Sequence, residues 1–137
     1  MKIIMCDGSS KGNPGQSKIG LVIWERFANT SSARKVTPTK TISKSIGIAT
    51  NNDAEWQAVI EAIKYANDKN MSDDVFIYSD SLLVVNQVNR EWRIKDAKMC
   101  QYYEAFCRLL EECELRKQKV TVTWLPRQLT VLADRQT

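Results

Sequence analysis

Ile3-Ile4-Met5-Cys6 and Val75-Phe76-Ile77-Tyr78 are apolar or aromatic at every position, and each is followed within two residues by an aspartate, Asp7 and Asp80. A strand with no polar alternation is buried on both faces. Residues 2–7 and 75–79 therefore read as interior strands of a sheet that other layers must cover. Their two acids stand where the chain leaves the core.

The rest of the chain arranges itself around these two strands. After a turn-rich segment from Gly8 to Gly15, Ile19 to Phe27 (IGLVIWERF) reads as a strand. A turn at Asn29–Ser32 leads to another from Val36 to Ala49, with Ile42, Ile46 and Ile48 at even spacing. Such short links suggest an antiparallel meander. The period then changes: Asn51-Asn52-Asp53 supplies N-cap candidates, and Trp56, Val59, Ile60, Ile63 and Ala66 recur at helical spacing to about Lys69. A short helix over Leu82–Val88, capped by Ser79 or Asp80, follows the strand at 75–79. A long helix over Asp96–Lys117, a fifth strand from Val120 to Leu125 and a brief helix over Val131–Arg135 complete the pattern. Strands joined through helices should run parallel. The expected fold class is α/β, a mixed sheet with flanking helices, and 137 residues make one domain over 1–137. In open sheets of this kind chemistry sits at the carboxyl ends of the strands.

The chain contains no histidine. That removes Ser-His-Asp and Cys-His catalysis and most transition-metal sites, which leaves carboxylates with a hard cation as the leading route to chemistry near neutral pH. Cys6, Cys100, Cys107 and Cys113 lack paired zinc-type spacing. They read as reduced, packed thiols of a cytoplasmic protein, Cys6 pointing away from Asp7 by strand alternation. No apolar stretch approaches the roughly 20 residues of a membrane span, and MKIIMCDG meets an acid too soon for a signal peptide. No membrane partner is expected, and nothing indicates an oligomer, so a monomer is expected. The net charge of +4 is unevenly placed: Lys11, Lys18, Arg26, Arg34, Lys35, Lys40 and Lys44 face a single acid, Glu25, between Asp7 and Asp53. Arg90, Arg93, Lys95 and Lys98 form a second basic cluster around Trp92. These read either as solvated surface or as a surface for a polyanion.

Four acids occupy telling places. Asp7 ends the first strand and Asp80 follows the fourth. Glu55 lies in the first turns of a helix, in line with Val59, Ala62 and Ala66 beside the core stripe. Asp134 sits next to Ala133 near the end of the chain. Each alone has an ordinary explanation: a turn starter, an N-cap, a partner for the helix dipole, a solvated charge. Together at one sheet edge they would repel unless neutralised, and two Mg²⁺ ions with their preference for carboxylate and water oxygens would do so. Such a pair activates water and stabilises the leaving oxygen of a phosphodiester.

The motifs DGSSKGNPG, ATNNDAEWQA, VFIYSDSLLVVNQVN and WLPRQLTVLADR stand in this order over nearly the whole chain. In them the sequence resembles type 1 ribonuclease H of the compact form without a basic protrusion. The resemblance implies a ribonuclease H-like fold, a five-stranded mixed sheet in the order 3-2-1-4-5. It implies endonucleolytic cutting of the RNA strand of RNA/DNA hybrids by two Mg²⁺ ions, with Mn²⁺ a substitute. Asp7, Glu55, Asp80 and Asp134 would be the metal-binding carboxylates. Ser10, Asn13, Asn51 and Asn52 match the positions that read 2′-hydroxyls in the RNA minor groove. Arg127 matches a phosphate-facing arginine, and Trp92 among its cations suits contact with the DNA strand. The chain departs from many relatives in lacking a histidine near the last aspartate and in carrying Thr130 where asparagine is common. Two other readings stay open: a DNA-acting nuclease, and a binding module that does not cut. Trp24, Trp56, Trp124, Tyr65, Phe76 and Phe106 are expected to fill the core.

Overall fold

The computed structural model describes residues 1–25, 38–68 and 73–130. Asp134, the helix expected over Val131–Arg135, the turn at Asn29–Ser32 and the ends of the second and third strands at Phe27 and Val36 lie outside these residues. The elements are β1 (Lys2–Lys11), β2 (Gly15–Glu25), β3 (Lys40–Ala49), α1 (Asn51–Asp68), β4 (Val75–Ser79), α2 (Leu82–Val88), α3 (Ala97–Leu115) and β5 (Val120–Trp124). A single 3₁₀ turn at Arg127–Leu129 follows.

The sheet order is β3-β2-β1-β4-β5. β1, β2 and β3 pair antiparallel as a meander, while β4 joins β1, and β5 joins β4, in parallel. The apolar runs are thus β1 and β4, two of the three interior strands, as their lack of alternation requires. One face of the sheet carries Ile4, Cys6, Ile19, Leu21, Ile23 and Ile77 against the Trp56, Val59, Ile60, Ile63 and Ala66 stripe of α1. Cys6 is fully buried in that core.

Three features differ from the sequence expectation. β1 does not stop at Asp7 but runs on to Lys11, with Gly8, Ser9, Ser10 and Lys11 paired to Ile19, Lys18, Ser17 and Gln16. Small polar residues resemble a loop by composition, yet a hairpin ladder holds them because the backbone, not the side chain, makes the bonds. The caps differ too. Thr50, not Asn51–Asp53, caps α1: the Asp53 N–H donates to Thr50 Oγ1 (3.1 Å) and the Thr50 N–H donates to Asp53 Oδ2 (3.2 Å), a reciprocal capping box. Ser81, not Ser79 or Asp80, caps α2 by accepting from the Val84 N–H, which leaves the Asp80 carboxylate uncommitted to the helix. Finally, Trp56 and Phe106 fill the core, but Trp124 is 41% exposed. It lies on the strand at the sheet's edge, where its indole N–H donates to the Asp80 carbonyl at 3.1 Å. Trp24, Tyr65 and Phe76 are half-buried.

Candidate active site

The β1–β4 ladder ends at the Cys6–Ser79 pair. Asp7 and Asp80 are the next residues on each strand, so the parallel register sets them side by side. Glu55 comes from near the start of α1, whose backbone at Ala54 and Glu55 lies against Gly8 of β1. A carboxylate oxygen from each of Asp7, Glu55 and Asp80 lies within 4.8 Å of the others.

Gly8 makes this approach possible. A Cβ on Gly8 would fall 2.2 Å from the Ala54 carbonyl carbon and 2.6 Å from the Glu55 nitrogen. Only a residue without a side chain lets β1 lie directly against the backbone of α1 beside Glu55. The Gly8 N–H also donates to the Glu55 carboxylate.

The electrostatics of the cluster are unfavourable without a cation. Glu55 Oε2 is buried with no hydrogen-bond partner among the described residues. Burial first, then the charges of Asp7 and Asp80, push the Glu55 carboxyl from 4.5 up to about 10. An orphaned buried oxygen and three converging carboxylates form a hard oxygen donor set that a divalent cation satisfies, because a positive charge reverses each of these penalties.

Asp80 is held on two sides. Its carbonyl accepts from Trp124, and its carboxylate Oδ2 accepts from Thr130 Oγ1 at 3.4 Å. Thr130 is fully buried. Its backbone N–H and hydroxyl both reach the Arg127 carbonyl, so the 3₁₀ turn fixes it. Thr130 is the supporting residue that sequence reasoning missed: it showed there only as a departure from a common asparagine, and its role depends on which side chain it faces. Partners of this kind orient a ligand, and their loss costs roughly 10- to 100-fold in metal affinity or activity. Thr130→Val, which keeps the shape, is therefore expected to raise the metal concentration needed for half-maximal activity about 10-fold with little change in melting temperature. An unaltered metal dependence would remove Thr130 from this role.

Beside the acids lies a polar knot. The Ser10 N–H donates to Asn51 Oδ1 (2.9 Å), and the Asn51 N–H donates to Asn13 Oδ1 (2.9 Å). The Ser10 hydroxyl lies within reach of the Gly12 and Ala49 carbonyls. The tip of the β1–β2 hairpin, where Gly12 sits at φ +78°, is thereby tied to the start of α1. The internal bonds use the amide oxygens of Asn13 and Asn51, so both NH₂ groups stay on the exposed side as donors. Asn52 is exposed one residue further along.

The start of α1 is also anchored to α3. Asp53 is buried, and it accepts from Lys98 Nζ (3.2 Å) and from the Tyr102 hydroxyl (3.3 Å). Burial opposes its charge, but the Thr50 N–H and hydroxyl and the Lys98 ammonium outweigh burial and hold the carboxyl below its ordinary value. A lowered folded-state value means stability that is present above the unfolded value and lost as pH falls through the folded one. Asp53→Asn should lower stability near neutral pH by about 1–2 kcal/mol, as for a lost cap. The gap should close below about pH 4. Denaturation curves at several pH values test this, and a pH-independent gap would contradict it.

Trp92 stands apart from the carboxylates. It is 46% exposed in the loop after α2 and lines a groove of about 530 Å³ with Arg90, Arg93, Ile94 and Tyr103. Arg90 adopts a left-handed backbone (φ +62°) there. Arg127 is exposed at the head of the 3₁₀ turn.

A model of the RNase H family matches residues 1–127. The bifunctional protein Rv2228c of Mycobacterium tuberculosis is 30% identical over 136 residues, which cover 98% of this chain and 34% of that protein. The chain thus spans about a third of the length of that curated relative. Among solved structures, ribonuclease H1 of Halobacterium salinarum is 28% identical with a TM-score of 0.82, covering 98% of this chain and 92% of that one. LC11-RNase H1, solved with an RNA/DNA hybrid, is 28% identical with a TM-score of 0.77 over 98% of this chain and 92% of that one.

Proposed function

This chain belongs to the RNase H family, and on that footing we propose that it is a metal-dependent endoribonuclease that hydrolyses the RNA strand of RNA/DNA hybrids. The observation that carries the reading is the meeting of Asp7, Glu55 and Asp80 oxygens within 4.8 Å beside exposed amide donors on Asn13 and Asn51. The family works with divalent metals, and Mg²⁺ is the ion proposed here, with Mn²⁺ as a substitute. Asp7, Glu55 and Asp80, joined by Asp134, would hold two such ions. Bound there, the pair supplies an activated water and charge to offset that on the scissile phosphate.

The protein's own part is to place the strand. The NH₂ groups of Asn13 and Asn51, with Ser10 and Asn52, suit the 2′-hydroxyls of a minor groove, since a 2′-OH both donates and accepts. Trp92 with Arg90 and Arg93 offers a flat apolar face between cations for the sugars and phosphates of the DNA strand. Arg127, at the head of the turn that holds Thr130, would meet a phosphate. The domain is proposed to act alone, as a monomer, leaving 5′-phosphate and 3′-hydroxyl ends.

The test is a substrate panel. Purified protein in Mg²⁺ is given labelled hybrid, double-stranded RNA and double-stranded DNA. Cutting confined to the hybrid's RNA strand supports the reading. Equal cutting of DNA overturns it in favour of a DNA-acting nuclease, and hybrid binding with no cutting in Mg²⁺ or Mn²⁺ overturns it in favour of a binding module.

A further inference from the structure

Further along β1 from Asp7, at Ser9 and Lys11, lies a small cavity of about 70 Å³. It is lined by Ser9, Lys11, Gln16, Ser17, Lys18 and Ser45. Ser9 pairs with Lys18, and Lys18 pairs with Ser45, so hydroxyl, ammonium and hydroxyl form one cross-strand row. The register of β2 against β3 shifts between Ser17 and Lys18. Irregularities of this kind re-aim a side chain and are over-represented next to active sites.

The charges here are not used internally. Lys44 pairs with Glu61 and Lys98 with Asp53, while Lys40 lies over the Tyr65 ring. Lys11 and Lys18 are exposed, and neither ion-pairs with an acid among the described residues. No carboxylate lines the cavity. Two ammonium groups and two outward hydroxyls around one small space are donors converging on an anion with several acceptor oxygens.

The position says which anion. Ser9 follows Asp7 by two residues on β1, on the same face, about 7 Å along the strand. The residue paired with Asp7 on β2 is Gly20, which has no side chain. The path from Asp7 to Lys18 is therefore not walled off by β2. We propose that Ser9, Lys11, Lys18 and Ser45 form a second anion site, which takes a backbone phosphate of the cut strand outside the scissile linkage. The site offsets, one step away, the repulsion that the acid cluster exerts on the same strand. Its anion chemistry stands on the lysines and hydroxyls; its assignment to a hybrid rests on the function proposed above.

The experiment has two arms. In the first, inorganic phosphate is titrated into the protein and its Lys11→Met/Lys18→Met variant, and amide resonances of Ser9, Lys18 and Ser45 are followed. A saturable shift in the parent that the variant lacks is expected, and no shift in the parent overturns the site. In the second, hybrid binding is measured against salt in an Asp80→Asn background that does not cut. The variant should lower the slope of log affinity against log salt by about 0.9 per lost contact. A single uncharged methylphosphonate in the RNA strand should weaken binding in the Asp80→Asn parent but not further in the lysine variant. An unchanged slope with bound hybrid overturns the substrate role. A phosphate response without any hybrid binding keeps the anion site and rejects the hybrid reading instead, so the two failures are told apart.

Discussion

Asp80→Asn is expected to lower RNA-strand cleavage by at least about 10³-fold, or roughly 4 kcal/mol of transition-state stabilisation, while the fold is retained. Asp80 is one of three carboxylates whose oxygens meet within 4.8 Å, and the helix after it is capped by Ser81. Its charge is therefore not needed to cap that helix, and an amide oxygen can still accept from Thr130. The charge is instead one of the causes that push Glu55 up, after burial and Asp7. Removing it relieves repulsion in the metal-free protein, so the variant should melt no lower than the parent. The amide keeps the size of the side chain but not the charge that holds a hard cation. Steady-state cleavage and thermal melting, measured on one preparation, read both halves of the expectation. A variant with kcat within tenfold of the parent would take Asp80 out of the site.

Gly8→Ala should have a large effect for a single added methyl group. The new carbon would sit 2.2 Å from the Ala54 carbonyl carbon and 2.3 Å from its oxygen. These are main-chain atoms in the first turn of a helix and cannot swing aside as a side chain could. Either β1 or α1 must move, and both carry acids of the cluster. Overpacking commonly costs about 1–3 kcal/mol and occasionally more. With backbone on both sides, about 3 kcal/mol or more is expected, together with loss of metal-dependent activity. Chemical denaturation measures the first and cleavage the second. A loss under about 0.5 kcal/mol would mean the strand and helix are not in the close contact described.

The sheet was legible because two of its interior strands announce themselves: Ile3–Cys6 and Val75–Tyr78 lack the polar alternation of a strand with one face in water. The convergence of Asp7, Glu55 and Asp80 was legible for a related reason, since strand ends and a helix stripe are positions that periodicity can place. What stayed hidden depends on three-dimensional neighbours. The reach of β1 to Lys11 rests on backbone pairing with β2, to which serine and glycine contribute no signal. The preference for Thr50 and Ser81 over adjacent Asn and Asp residues as caps is decided by which residue first leaves helical geometry. Trp124 reads as core by composition but lies at an edge strand, where its N–H has a carbonyl to meet. Gly8 looked like part of a turn, whereas its cause is the helix packed against it. Asp134, read from the motif near the chain's end, lies outside the described residues.

The most direct measurement is the rate of RNA-strand cleavage in a labelled RNA/DNA hybrid by metal-free protein as Mg²⁺ is added, with EDTA as the control. Three or four carboxylates that need divalent cations to become active predict no cutting in EDTA. They also predict a saturable rise with Mg²⁺ and products ending in 5′-phosphate and 3′-hydroxyl. Cutting that persists in EDTA, or no cutting at any Mg²⁺ or Mn²⁺ concentration while the hybrid is bound, would contradict the assignment of Asp7, Glu55 and Asp80 as a working metal centre.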